Sequence, residues 1–122
     1  MKNYIDGFIL PIPGEQLTKY KEVVKKVADI WKEHGALGYS EYVGDDLSLE
    51  GTRSFAEAAN VKKNEVIIFG WVEFESREAR DSANEKVAAD PRMEDLIKPL
   101  TKKSKPIFDA KRMMYGGFRS LV

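Results

Sequence analysis

Val66-Ile-Ile-Phe-Gly-Trp-Val72 is the stretch that decides the fold, because it has the strongest strand pattern in the chain. β-Branched and aromatic residues fill it, which is typical of a strand within a sheet. It opens a strand–helix–strand unit over residues 65–118, and residues 4–43 show the same order of elements. Two such units predict an α+β protein with a ferredoxin-like, split β-α-β sandwich. We therefore expect a four-stranded antiparallel sheet with helices on one face.

The first unit can be followed residue by residue. Tyr4 to Leu10 predicts a strand, and the prolines at 11 and 13 predict its end, since proline cannot donate to a ladder. A second strand is expected from Leu37 to Val43. Between them, apolar residues three and four apart predict a helix that ends at Gly35 and buries its stripe against the sheet. The stripe comprises Leu17, Tyr20, Val24, Val27 and Trp31.

The second unit follows the irregular stretch 46–64, where Thr52 is the expected cap of a short helix. Ser76 is placed to cap the next long helix, and Asp90-Pro91 to begin a short one. After a loop at 102–105, the last strand is expected from about Ala110 to Phe118.

Composition limits the classes of function. The chain has 122 residues, with twenty basic and twenty acidic side chains, so no overall field attracts nucleic acid or an anionic membrane. It has no cysteine, which excludes disulfides and thiolate chemistry. No signal-peptide pattern or membrane-spanning run is recognised. We expect one domain over residues 1–122, located in the cytoplasm and binding neither nucleic acid nor membrane.

The strands are apolar on both faces, whereas a sheet with one wet face should alternate apolar and polar residues. In the third strand Val66, Ile68 and Val72 point one way, and Ile67, Phe69 and Trp71 the other. Because two helices cover only one face, the other would expose a large apolar patch. This predicts a homodimer that packs sheet face on sheet face. The alternative is that residues 46–64 fold over that face.

Five stretches of the chain together resemble one bacterial family. They are Tyr4-Ile-Asp-Gly-Phe8, Glu41-Tyr-Val-Gly-Asp-Asp46, Trp71-Val-Glu73, Asp90-Pro-Arg-Met93 and Phe108-Asp-Ala-Lys-Arg-Met-Met-Tyr-Gly-Gly-Phe118. In this order they are similar to the YbaA-like proteins, a family of unknown function in the dimeric α+β barrel superfamily. Tyr42 departs from the tryptophan expected there, although it keeps an aromatic ring.

The resemblance spans nearly the whole chain and implies a ferredoxin-like fold and a dimeric α+β barrel. It brings no established reaction. At superfamily level it points to cofactor-independent monooxygenases, haem-dependent chlorite dismutases and ligand-sensing domains of regulators. Because a shared fold does not fix a function, the site residues must carry the argument.

Two carboxylates within the central strands, Asp6 and Glu73, are the candidate catalytic bases. The candidate ligand-binding residues are Glu41, Trp71, Arg112 and Tyr115. In one interpretation these side chains form a pocket for a planar or polar small molecule. In the other, which we favour, an Arg112-centred network of ion pairs and hydrogen bonds fixes the dimer without turnover.

The other polar motifs give weaker indications of function. The single histidine, His34, is expected to interact with a helix end, and the pair Asp45-Asp46 to face water, so no metal site is predicted. Gly116-Gly117 opens no helix and predicts a close backbone approach instead of a phosphate loop, and no cofactor is expected. A basic cluster beside Phe108 is expected to be solvated. It comprises Lys98, Lys102, Lys103 and Lys105.

Three functions remain open from the sequence. The leading one is a homodimeric module that binds or senses a small molecule. The second is a cofactor-independent oxygenase- or isomerase-like enzyme, in which Asp6 or Glu73 is the base and Trp71 with Tyr115 positions a small aromatic or polar substrate. The third is a purely structural partner protein.

Overall fold

The computed structural model describes residues 2–102 and 106–122, and its framework is a four-stranded antiparallel sheet. The strands are β1 (Tyr4–Pro13), β2 (Gly38–Val43), β3 (Glu65–Phe74) and β4 (Met114–Arg119). The helices are α1 (Leu17–Glu33), α2 (Phe55–Ala58), α3 (Arg77–Ala89) and α4 (Pro91–Ile97). The strand order β2-β3-β1-β4 is that of a ferredoxin-like sandwich, so the predicted fold class is confirmed.

The two prolines of β1 do not end the strand, and this part of the prediction was wrong. β1 pairs with β3 as far as Pro13, which lies opposite Glu65. Beyond Ile9, however, β1 has no β4 partner, so among the described residues it has a neighbouring strand on one side only. A proline is tolerated at such an edge, because the missing N–H would have found no partner there.

Two further boundaries differ from the sequence prediction. The last strand begins at Met114, because Ala110–Arg112 form a turn of 3₁₀ helix that Asp109 caps through the Lys111 N–H. The cap of α2 is Ser54, whose hydroxyl accepts from the Ala56 N–H, while the Thr52 hydroxyl bonds to the Leu49 carbonyl. The predicted caps Ser76 and Asp90 are confirmed.

The core lies between one face of the sheet and the helices. Its buried residues come from alternate positions of β1 and β3 and from the inner faces of α1 and α3. They are Leu10, Ile12, Ile68, Val72, Phe74, Tyr20, Val27, Ile30, Ala83 and Val87. Trp31 was also expected to be buried but is only half-buried, because its ring borders a cavity. Of the predicted lysine cluster, Lys98 is largely exposed, and Lys103 and Lys105 lie outside the described residues.

The opposite face of the sheet, here called the open face, carries Ile9, Tyr42, Phe69, Trp71, Met114 and Phe118. Tyr42 is 61% exposed and Phe118 58%. The stretch 46–64 covers one end of this face, where the Phe55 ring meets Phe69 edge-on. The rest of the open face stays exposed, so residues 46–64 cover this face only in part. None of the helices in residues 2–102 and 106–122 has the length and the apolar composition that a membrane span requires.

Candidate functional site

A partly enclosed cavity lies between the covered face of the sheet and the helices α1 and α4. Its volume is about 190 Å³. All but one of its lining side chains are apolar or aromatic, and the exception is Glu41. The lining residues are Phe8, Tyr20, Val24, Val27, Trp31, Tyr39, Glu41, Val72, Ile97, Leu100, Phe108, Met113 and Tyr115.

One row across the sheet forms the floor of the cavity. Glu41 of β2 lies opposite Gly70 of β3, which lies opposite Phe8 of β1, which in turn lies opposite Tyr115 of β4. Gly70 leaves room for the Phe8 ring, since a Cβ at Gly70 would lie only 2.7 Å from a ring carbon and 2.9 Å from the Ser40 carbonyl oxygen. The lack of a side chain at Gly70 therefore lets the Phe8 ring lie close to this part of β3.

Two tyrosine hydroxyls hold the Glu41 carboxylate. Tyr20 of α1 donates to Oε1, and Tyr39 of β2 donates to Oε2 at 2.5 Å. Tyr39 precedes Glu41 by two residues and therefore projects from the same face of β2. The helix supplies the second donor, so both carboxylate oxygens are fixed in the cavity wall.

The surroundings of Glu41 disfavour its charge. Burial raises the pKa of Glu41 above its ordinary value, and the two tyrosine hydrogen bonds oppose this shift without cancelling it. Burial and the nearby Glu41 carboxylate also raise the pKa values of Tyr20 and Tyr39, so both remain protonated donors. Within residues 2–102 and 106–122, no basic side chain forms an ion pair with Glu41.

Asp6 has different partners from Glu41, although it is fully buried on the same face of the sheet. Arg80 of α3 reaches it with Nη1 at 2.6 Å, and the Tyr115 hydroxyl donates to its other oxygen. The Arg80 guanidinium also lies 5.0 Å from the ring centre of Tyr4 and bonds to its hydroxyl. This network ties α3 and β4 to β1, and it leaves Asp6 fully paired.

Gly117 makes the approach of Arg80 possible. It lies opposite Asp6 in the pairing of β4 with β1. A Cβ at this position would collide with the Tyr4 hydroxyl and lie 2.9 Å from Arg80 Nη1. The close approach expected at Gly116-Gly117 is therefore found, and the approaching group is a guanidinium.

The predicted site residues do not form one pocket. Glu41 and Tyr115 both line the cavity, whereas Trp71 lies on the open face, stacked on Tyr42 at 5.4 Å between ring centres. Glu73 is also on the open face, where it pairs with Lys2 at 3.3 Å. Strict alternation along β3 separates Trp71 from Tyr115, because the sheet itself stands between them.

The prediction that Arg112 is the centre of the polar network was wrong. Arg112 lies in the 3₁₀ turn before β4 and forms a two-pronged pair with Glu65 at 2.6 and 2.9 Å. The pKa of Glu65 is lowered mainly by this hydrogen bonding. The burial and pairing that we expected of Arg112 are supplied by Arg80 instead.

Three residues of the site were missed from the sequence. Tyr20 was assigned only to the apolar stripe, and Tyr39 was not singled out, although its spacing of two from Glu41 places both on one face of a strand. Arg80 carried a clearer signal. It lies three residues before Ala83 and seven before Val87, so a charge occupies the helix face that packs on the sheet.

The single histidine, a polar residue considered from the sequence, also has a hydrogen-bond partner. His34 Nε2 lies 2.8 Å from an oxygen of Asp90, the residue that caps α4. Hydrogen bonds from Arg92 and His34 hold the pKa of Asp90 well below its ordinary value. In the part of the chain that the structure describes, no group of three or more acidic or histidine side chains is arranged to hold a metal ion.

Chemically, the cavity combines an aromatic wall with one carboxylate whose position is fixed. Such an arrangement can bind a molecule of about one ring through apolar contact and orient it through one hydrogen bond. It can also exchange a proton, because a carboxyl group with a raised pKa works closer to neutral pH than an ordinary one.

Comparison with solved structures supports the fold. A nipsnap family protein with unknown function (atu4242) from Agrobacterium tumefaciens superposes with a TM-score of 0.58 over 97% of this chain and 87% of that one, at 16% identity. A second structure of Atu4242 gives a TM-score of 0.55 over 95% and 91% at 17% identity. At this identity the likeness shows the architecture alone.

Comparison of sequences is more specific. The uncharacterized protein YbaA of Escherichia coli K12 is 39% identical over 119 residues, which cover 98% of this chain and 97% of that protein. YbaA of Shigella flexneri matches to the same extent. The family model described as a protein of unknown function, DUF1428, matches residues 3–109. By both measures the chain belongs to the DUF1428 family of YbaA-like proteins, whose function is unknown.

Proposed function

We propose that this protein is a homodimeric module that binds a small, mainly apolar molecule in the cavity between its sheet and its helices. The observation that carries the proposal is the cavity itself, an aromatic space of about 190 Å³ with a single carboxylate in its wall. A simple packing defect does not explain why a half-buried carboxylate, Glu41, lies in an apolar wall with two hydroxyl partners, since a carboxylate is costly to place there.

The volume limits the ligand. An engineered apolar cavity of roughly 150 Å³ accommodates benzene, while drug-sized ligands need roughly 300 Å³ or more. The cavity therefore suits a molecule with one ring and a short substituent. Apolar contact would supply most of the affinity, and Glu41 would select the substituent.

The test uses Trp31, which lines the cavity, as a fluorescent reporter. A Trp71→Phe background removes the tryptophan on the open face. We expect benzyl alcohol to change the Trp31 emission in a saturable manner. In the matched variant Val24→Phe, whose added ring fills the space, the protein should stay folded and the saturable response should be lost. An identical response in both proteins would contradict binding in the cavity.

Homodimerisation is supported by the open face. Phe69 and Met114, 42% and 40% exposed, add to the exposed Tyr42 and Phe118 on this face. Monomers rarely leave a contiguous apolar patch of this kind in water. The face carries the Glu73–Lys2 pair at one edge, so two copies can meet over a surface that is mostly uncharged.

A second candidate function is proton transfer by Glu41, as in a cofactor-independent isomerase- or oxygenase-like enzyme. The raised pKa of Glu41 and its location in an apolar cavity favour it. Of the bases considered from the sequence, Asp6 is bound to Arg80 and Glu73 lies on the open face, so Glu41 takes this role. Deuterium exchange at the α-carbon of acetophenone, followed by NMR, tests it. Exchange should be faster with the wild type than with Glu41→Gln, and equal rates would exclude this candidate.

The cytoplasmic location expected from the sequence remains a prediction. It is compatible with a composition of 43% hydrophobic and 33% charged residues. Localisation of a tagged copy by cell fractionation would test it.

A further inference from the structure

We propose that the ligand of this cavity is a small organic cation, an amine attached to one aromatic or aliphatic ring, and that Glu41 is its counter-ion. The inference rests on the proposed binding function and specifies the chemistry of that same site.

The first support is that three other buried or partly buried acids are each paired with a basic side chain. Asp6 is bound to Arg80, Glu65 to Arg112, and Asp90 to both His34 and Arg92. Buried charges in proteins are normally paired in this way. Within the described residues Glu41 has two hydroxyl partners and no basic one. A cationic ligand would supply the missing positive charge.

The second support is the direction of the hydrogen bonds. When Glu41 is ionised, the hydroxyl protons of Tyr20 and Tyr39 are both used by its oxygens. The polar end of the cavity then offers a ligand acceptor atoms only, namely carboxylate and phenol lone pairs. An ammonium group, which has donors and no acceptor, matches this set. A carboxylate ligand would add a second negative charge and would find no donor.

The third support is the aromatic wall. Six of the lining residues are aromatic, namely Phe8, Tyr20, Trp31, Tyr39, Phe108 and Tyr115. Aromatic faces attract cations through the ring quadrupole, and aromatic cages are a common means of binding organic ammonium ions. The same wall accommodates the ring of the ligand, so one cavity satisfies both of its parts.

The test compares three probes of nearly equal shape: benzylamine, benzyl alcohol and benzoate. Affinities are measured by calorimetry on the wild-type protein at neutral pH. We expect benzylamine to bind about tenfold or more tightly than benzyl alcohol, as a charge-assisted hydrogen bond allows, and benzoate to bind most weakly. In Glu41→Gln the preference for benzylamine should fall to within about twofold. Glu73→Gln, which alters a carboxylate on the open face, is the matched control and should keep the preference.

A second measurement needs no variant. Affinity for benzylamine should fall as the pH is lowered and Glu41 takes up a proton, whereas affinity for benzyl alcohol should stay constant. The other titratable side chains that line the cavity are Tyr20, Tyr39 and Tyr115. Burial is the largest cause that raises their pKa values, so they remain protonated through this range.

The outcomes separate this inference from the proposed function. If benzyl alcohol binds as well as benzylamine, or if benzoate is preferred at neutral pH, the cation assignment is wrong while binding in the cavity stands. If none of the three probes binds, both proposals fall. A preference for benzylamine that survives unchanged in Glu41→Gln would also overturn the assignment.

Discussion

At the scale of single residues, the two acids that point into the covered layer have opposite surroundings. Asp6 has a guanidinium and a hydroxyl as partners, so its charge is neutralised where it lies. Glu41 has hydroxyls alone, and its charge is left without compensation by the described side chains. We interpret Asp6 as a structural group, and the contrast between the two acids supports the binding role that we propose for Glu41.

The structural role of Asp6 can be tested through its partner. Arg80→Met should lower the free energy of unfolding by about 3 to 5 kcal/mol, since it leaves a fully buried carboxylate without its cation. Arg77→Met is the control on the same helix. Its pair with Asp81 is largely exposed, and its loss should cost about 0 to 1 kcal/mol. Urea denaturation measures both, and equal losses would show that the Asp6–Arg80 pair is unimportant for folding.

The raised pKa of Glu41 predicts a pH dependence with a defined sign. The folded protein holds the Glu41 proton more tightly than the unfolded chain, in which the pKa is about 4.3. The stabilisation that Glu41 contributes is therefore fully present below the unfolded pKa and is lost as the pH rises through the folded pKa. Glu41→Gln has no such proton. The free energy of unfolding of Glu41→Gln should therefore increase relative to that of the wild type as the pH rises.

Urea denaturation of both proteins from about pH 4 to about pH 8 measures this difference in the free energy of unfolding. Glu85→Gln, which removes an exposed carboxyl group from α3, is the control and should show no such trend. A difference between Glu41→Gln and the wild type that shrinks with rising pH would contradict the assigned direction.

Sequence reasoning at this scale identified Glu41, Tyr115 and Asp6 as candidate site residues, but not which side chains lie together. Alternation along a strand groups the residues that share a face, but it did not tell us that Asp6 and Glu73 lie on opposite faces of the sheet. It does not say which helix side chain will reach across the layer. Arg80 and Tyr20 come from helices, whose rotation over the sheet depends on packing of the whole core, so their partners could not be assigned.

At the scale of elements, the sequence predicted the existence of all four strands and all four α-helices. The errors occurred where pairing overrides local preference. β1 continues through two prolines because β3 holds it from one side. β4 starts late because a capped turn precedes it. Neither condition can be read from the residues of one strand, since each depends on where a neighbouring strand ends.

The two glycines of β4 provide a test at this scale. Gly117→Ala should destabilise the protein by about 1 to 3 kcal/mol, because the new methyl group would overlap Tyr4 and Arg80. Gly116→Ala is the adjacent control. There a Cβ would meet the Phe118 ring at 3.7 Å, an ordinary contact, so the change should be small. Thermal denaturation distinguishes the two, and a reversed order would refute the placement of Arg80 over Gly117.

At the scale of the whole molecule, the exposed open face predicts association. We expect sedimentation at micromolar concentration to show a dimer that buries more than about 1,200 Å² in total. Trp71→Glu should shift it toward monomer, because a charge would enter an apolar interface that includes the Tyr42 stack. Lys25→Glu, an exposed change on the helix layer, should leave the dimer intact. A folded wild-type monomer at this concentration would contradict the prediction.

The pairing of β2 with β3 has a consequence for how this chain can change in evolution. Glu41 and Tyr42 are neighbours on one strand, yet one faces the cavity and the other the open face. Slippage of β2 by a single position would exchange them, which would put the carboxylate among exposed aromatics and the phenol in the cavity. Bonds from the Leu37 and Gly44 N–H groups to Glu73 and Ile67 anchor both ends of the strand against this. An insertion or deletion within β2 would therefore damage both surfaces at once, whereas the exposed residues 48–53 that follow it can change in length without shifting this register.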